Sequence, residues 1–137
     1  MQEVLNPSAS VLAFAKLDRR HKLKISYRDE TGIQRNYEVD FIVKTADKIY
    51  LVETKADKDL STPNVAVKVR AAIAWCEQAS TIPYPREFQQ PQAWEYLILS
   101  ENLFKRNRGL GFDAFIPLCQ SLRDKIIAQA QGTLFLI

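Results

Sequence analysis

The stretch from Tyr37 to Asp59, YEVDFIVKTADKIYLVETKADKD, constrains the fold more than any other part of the chain. Two β-branched and aromatic runs, Phe41-Ile42-Val43 and Ile49-Tyr50-Leu51-Val52, flank the polar segment Thr45-Ala46-Asp47-Lys48. Runs of this kind around a short polar break form an antiparallel hairpin. With Ala46-Asp47 as a two-residue loop, Thr45 pairs with Lys48, and the same register sets Asp40 directly opposite Glu53. Side chains alternate along a strand, so Lys55 falls on the face that carries Glu53. Directly opposed Cβ atoms lie roughly 4.5–5.5 Å apart, close enough for two carboxylates to share one cation. Two carboxylates facing each other beside an ammonium are a costly way to end a hairpin, which points to a site. The plain alternative is an exposed hairpin end, where Asp, Glu and Lys commonly crowd.

Residue types set the chemistry. Asp and Glu oxygens suit hard cations such as Mg²⁺ or Mn²⁺. Mg²⁺ usually takes one or two protein carboxylates and fills its shell with water and substrate phosphate. Asp40 and Glu53 are therefore the candidate metal ligands, with the Thr54 carbonyl as a third. Lys55 is placed to position or help deprotonate an attacking water, or to stabilise charge on a phosphorane-like transition state.

The order of VDF, an apolar run and then LVETK resembles the PD-(D/E)XK nuclease motif. Within that superfamily the chain looks most like the C-terminal endonuclease domain of type III restriction enzymes and related helicase-nuclease subunits. YEVDFIV after a hairpin, IYLVETK, AVKVRAAIAWCE and WEYLIL add to the likeness, which runs from about Ser10 to the end. The resemblance implies an α/β restriction-endonuclease-like core, a mixed central sheet flanked by helices, with residues 1–137 forming a single endonuclease domain. It assigns Asp40, Glu53 and Lys55 to a metal-dependent catalytic centre. It also implies double-stranded DNA as substrate, with an ATP-dependent helicase or translocase domain and a methyltransferase subunit as partners of a larger restriction enzyme. Val39 departs from the motif, which has Pro there; that Pro shapes the strand entry and is not a ligand.

The rest of the chain agrees with an enzyme-sized unit. With 137 residues, 47% of them hydrophobic, there is room for a core. The net charge of +3 is too mild to argue for nucleic acid, but its distribution says more. Lys16, Arg19, Arg20, Lys22, Lys24 and Arg28 crowd the N-terminal third with Asp18 the only acid among them, and Lys105, Arg106 and Arg108 form a second cluster. Arg19, Arg20, Lys22, Lys105, Arg106 and Arg108 are the candidate contacts to DNA phosphates; for any one of them a solvated face is the simpler reading.

Other site types are poorly supported. Cys76 and Cys119 are far apart with no CxxC, which disfavours zinc and dithiol chemistry and suits small buried side chains. The sole histidine, His21, sits in the basic cluster without the spacing of a Ser-His-Asp or HExxH site. There are four glycines and no GxxxxGK[ST], so any motor lies elsewhere. The absence of a signal peptide or a membrane-length apolar run makes a reducing cytoplasm the expected compartment.

Along the chain, Ser8-Ala9-Ser10 reads as the cap of a helix over Val11 to Leu17. Leu23 to Tyr27 alternates as a strand, and Asp29-Glu30-Thr31-Gly32 supplies a turn to the next. Thr62 and Pro63 open a helix to about Gln78 with Val65, Val69, Ala72, Ile73 and Cys76 on one face. Thr81 to Pro91 carries three prolines and reads as a surface loop. Trp94 to Leu99 is a buried strand, and Gly109 to Gly111 precede a helix interrupted near Pro117 and resumed to Gln129. Thr133 to Ile137 is expected as an edge strand. Lys68 falls on the first helix one turn before Ala72. It reads as an accessory group near the site or as a lysine whose stem lies along the core. Trp75 and Trp94 read as core aromatics, and Glu3 and Asp18 as surface charges rather than further ligands.

The expected function is metal-dependent hydrolysis of DNA. A non-catalytic DNA- or protein-binding module on the same fold, a repair or junction-resolving nuclease, and an unrelated α/β domain remain alternatives. Register separates the last of these, since Asp40 and Glu53 on opposite faces would end the nuclease argument.

Overall fold

The computed structural model describes residues 11–17, 23–82 and 93–135, with side chains up to 130. The order is β1 (Val11–Lys16), β2 (Lys24–Arg28), β3 (Gln34–Glu38), β4 (Phe41–Thr45), β5 (Lys48–Lys55), a 3-10 turn (Asp57–Asp59), α1 (Pro63–Thr81), β6 (Ala93–Ser100), α2 (Glu101–Arg106) and α3 (Phe112–Phe135). Four strands form one mixed sheet in the order β1-β4-β5-β6, and β2 and β3 pair separately. β4 and β5 are antiparallel with Phe41 opposite Val52 and Lys44 opposite Ile49, which is the register read from the hairpin. β6 returns parallel to β5 after the α1 crossover, with Leu51 beside Tyr96 and Lys55 beside Ser100. The result is a mixed α/β fold of the restriction-endonuclease-like kind.

Alternation along β5 divides the core into two layers. Leu51 joins Val65, Val69, Ala72 and Cys76 of α1 and Ile25, Tyr27 and Tyr37 of the small sheet. Tyr50 and Val52 face the other way, onto Phe112, Phe115 and Cys119 of α3. Ile126, farther along α3, belongs to the α1 layer, so this helix contributes to both. Trp75 and Trp94 meet edge to face with centroids 5.3 Å apart, as packing aromatics. Val39, in the place of the motif proline, is 2% exposed and fills the α1 layer. Both cysteines are free and buried.

Several expectations change. Val11–Lys16 is a strand, not a helix, and pairs antiparallel with β4. Its register shifts between Val11 and Ala13, so Val11 and Phe14 pack on the core three residues apart while Leu12 points out, which imitates helical spacing. Pro117 does not interrupt α3, which runs through it. Proline removes one main-chain bond there, and Phe112, Phe115 and Cys119, buried on either side of it, hold the helix on the sheet. Thr133–Phe135 is the end of α3 rather than an edge strand; residues 136 and 137 lie outside the described residues. α1 continues to Thr81, past Gln78. Thr62 occupies its N-cap position, but its hydroxyl donates to the Asp59 carbonyl instead of capping the helix. The expected cap at Ser8-Ala9-Ser10 and most of the Thr81–Pro91 loop also fall outside the described residues. Among those residues no helix is long and apolar enough to cross a membrane.

Candidate active site

The site forms where the β4–β5 hairpin opens. Asp40 is a bend residue just before β4, and continuing the β4–β5 register sets it opposite Glu53. Its main-chain carbonyl accepts from the Leu17 N–H at 2.7 Å. Its Oδ2 accepts from the main-chain N–H and the hydroxyl of Thr54, both at 2.9 Å. In an extended strand a residue's N–H and C=O point to the same side. The Thr54 carbonyl therefore also faces Asp40, as a third ligand would require.

Glu53 is 9% exposed, on the α1 side of the sheet. Burial raises its pKa from 4.5 to about 7; a hydrogen bond from Tyr37 opposes that rise, and the neighbouring Asp40 carboxyl adds to it. The two carboxyls are thus electrostatic neighbours, Asp40 lining a cleft with Thr54 and Lys55 and Glu53 a pocket with Lys55 and Lys68. Lys55 follows on the same face, half-buried, and favours the Glu53 anion. Lys68 of α1 reaches the pocket formed with Tyr37, Glu53, Lys55 and Tyr96. Its Nζ sits 5.9 and 5.7 Å from the Tyr27 and Tyr37 ring centroids. Burial first, then the Lys55 charge, lowers its pKa.

Beside these groups lies an open cleft of about 490 Å³. Lys16, Asp40, Thr54, Lys55, Ser100 and Glu101 supply its polar lining, and Phe41, Leu99 and Phe104 its apolar wall. Lys55 lines both the cleft and the Lys68 pocket, so it links the two. Glu101 starts α2, where Ser100 caps the helix by accepting from the Leu103 N–H; this short helix was not expected. Of the second basic cluster, Lys105 pairs with Glu101 at 3.1 Å and the Arg108 guanidinium lies 5.9 Å from the Phe104 ring centroid. Arg106 lines an adjoining groove with Asp57 and Lys125. Arg19, Arg20, Lys22 and His21, like Glu3 and Asp18, lie outside the described residues.

The donor set fits a hard divalent cation. Among the described residues no three His, Cys, Asp or Glu side chains converge as a metal-ligating group. Two coupled carboxyls and a nearby main-chain carbonyl nevertheless match a Mg²⁺ site completed by water and phosphate.

Sequence reasoning missed two residues here. Tyr37 donates to Glu53 Oε2 at 2.5 Å, and its oxygen is 3.0 Å from that of Tyr96. A buried phenol needs a partner for its hydroxyl, but Tyr37 lies in the polar segment Gln34–Glu38, so nothing local pointed to the pairing.

Fold and site together define a nuclease-fold domain of the restriction-endonuclease-like, PD-(D/E)XK superfamily. Residues 15–101 match the family model described as the TnsA-like endonuclease N-terminal domain, and the chain belongs to that family. The superfamily expectation stands, while at the finer level the match is to this family and no type III restriction similarity is shown. No curated protein and no solved structure matches.

Proposed function

We propose that this domain is a divalent-metal-dependent endonuclease that hydrolyses phosphodiester bonds of double-stranded DNA. The observation that carries the reading is the coupled Asp40–Glu53 pair at the mouth of the hairpin, with Lys55 on the same face. Asp40, Glu53 and the Thr54 carbonyl hold Mg²⁺, for which Mn²⁺ can substitute. A bound ion of this kind supplies a water of lowered pKa and neutralises charge on the phosphoryl oxygen. Lys55 orients the attacking water and stabilises the transition-state charge. Lys68 is an accessory group whose ammonium, already lowered in pKa by its surroundings, touches a phosphate oxygen or the water. The cleft receives the DNA backbone, and Lys105, Arg106 and Arg108 flank it. Arg19, Arg20 and Lys22 are proposed for the same role from the sequence alone. The family match favours a transposase-like setting over a restriction system, so a helicase or translocase and a methyltransferase are the less supported partners. A DNA substrate and two free cysteines fit a cytoplasmic setting.

The test is nicking of supercoiled plasmid in Mg²⁺ or Mn²⁺ by wild type and Lys55→Ala purified in parallel. The variant should lose at least about 100-fold in rate, the lower range for a positioned proton-transfer group. Equal nicking by both would refute the assignment.

A further inference from the structure

Asp40, Glu53 and Lys55 do not explain why two tyrosines from different sheets turn their hydroxyls to one buried point. Tyr37 comes from β3 of the small sheet and Tyr96 from β6 of the large one. Tyr37, Glu53 and Tyr96 are 6%, 9% and 2% exposed, so bulk water cannot readily replace a lost partner. Each phenol carries one proton. Tyr37 gives its proton to Glu53 Oε2 at 2.5 Å, so across the 3.0 Å contact its oxygen accepts from Tyr96. The order is therefore Tyr96 to Tyr37 to Glu53. Hydrogen bonds in such a chain strengthen one another, and one ending on a carboxylate is among the stronger kinds. Two core tyrosines could have been satisfied by main-chain carbonyls. Here they end on the carboxylate opposite Asp40.

We propose that Tyr37 is a positioning residue of the nuclease site, its hydroxyl pinning Glu53 Oε2 so that the other carboxylate oxygen is presented with Asp40 to the divalent ion. This inference rests on the metal-site reading above. It makes the β2–β3 hairpin part of the site's framework although that hairpin lies outside the four-stranded sheet. Ile25 and Tyr27 anchor the same hairpin in the α1 layer, which fixes where the Tyr37 hydroxyl can reach.

The experiment is Mn²⁺ titration of the full chain by calorimetry without DNA, for wild type, Tyr37→Phe and Tyr96→Phe, with melting curves alongside. Phe keeps the ring in the core. Tyr37→Phe should weaken Mn²⁺ binding roughly tenfold, the lower range for loss of a group that orients a metal ligand. In cleavage, the Mn²⁺ concentration giving half-maximal rate should rise by the same factor while kcat at saturating Mn²⁺ changes little. Tyr96→Phe, which removes only the far end of the chain, should show a smaller loss in the same direction. Mn²⁺ affinity within twofold of wild type for Tyr37→Phe would overturn the proposal. If that variant fails to fold, unchanged affinity in Tyr96→Phe overturns it instead. Wild type that binds no Mn²⁺ would refute the metal site itself and this inference with it.

Discussion

Replacing Glu53 by Gln should stabilise the metal-free protein, increasingly so as pH rises from about 4.5 to about 7 and by a constant amount above that. Glu53 is 9% exposed, and burial with the Asp40 carboxyl raises its pKa from 4.5 to about 7. Between those two values the folded state holds a proton that the unfolded state has released. Stability therefore falls as pH rises from about 4.5 through about 7 and stays lower above that. At about 1.4 kcal/mol per pH unit, the full loss is about 3 kcal/mol. Gln removes the charge yet keeps both partners, since its carbonyl can accept from Tyr37 and its amide can donate to Asp40. In EDTA at pH 8.5 the variant should melt roughly 10 °C above wild type, and the two should converge near pH 4.5. Mn²⁺ should raise the melting temperature of wild type and leave that of the variant nearly unchanged. A pH-independent difference, or a variant less stable at pH 8.5, would refute the electrostatic account.

Thr54→Val removes the hydroxyl bond to Asp40 Oδ2 and leaves the main-chain one. Stability should change by less than about 1 kcal/mol because the residue is exposed, while Mn²⁺ affinity should fall a few fold; melting and calorimetry read the two effects separately. Leu51→Ala empties a fully buried position in the middle of β5 and should cost about 2–5 kcal/mol by urea unfolding.

What could be read from the chain was what depends on neighbours in sequence. The β4–β5 register follows from a short turn and strict alternation, so the pairing of Phe41 with Val52 could be read before any tertiary information. β1 failed because its register shift replaces period-two spacing with an apparent helical one, and only pairing with β4 resolves that ambiguity. Pro117 misled because a local rule about helix interruption was weighed without the burial of Phe112, Phe115 and Cys119. The Tyr37 and Tyr96 hydroxyls meet across 59 positions of chain and two sheets, so no local pattern marks them. Ser100 and Glu101 did carry a capping signal for α2, but it was hidden at the end of a long apolar strand.

Asp40 belongs to no strand, yet it is moored on two sides, through its carbonyl to Leu17 and through its carboxylate to Thr54. The motif itself runs only from Asp40 to Lys55, while one of its moorings is supplied more than twenty residues earlier. A fragment beginning at residue 23 would carry every catalytic candidate and still leave the Asp40 carbonyl without its donor. The smallest piece that holds the motif is thus smaller than the smallest piece that holds its geometry.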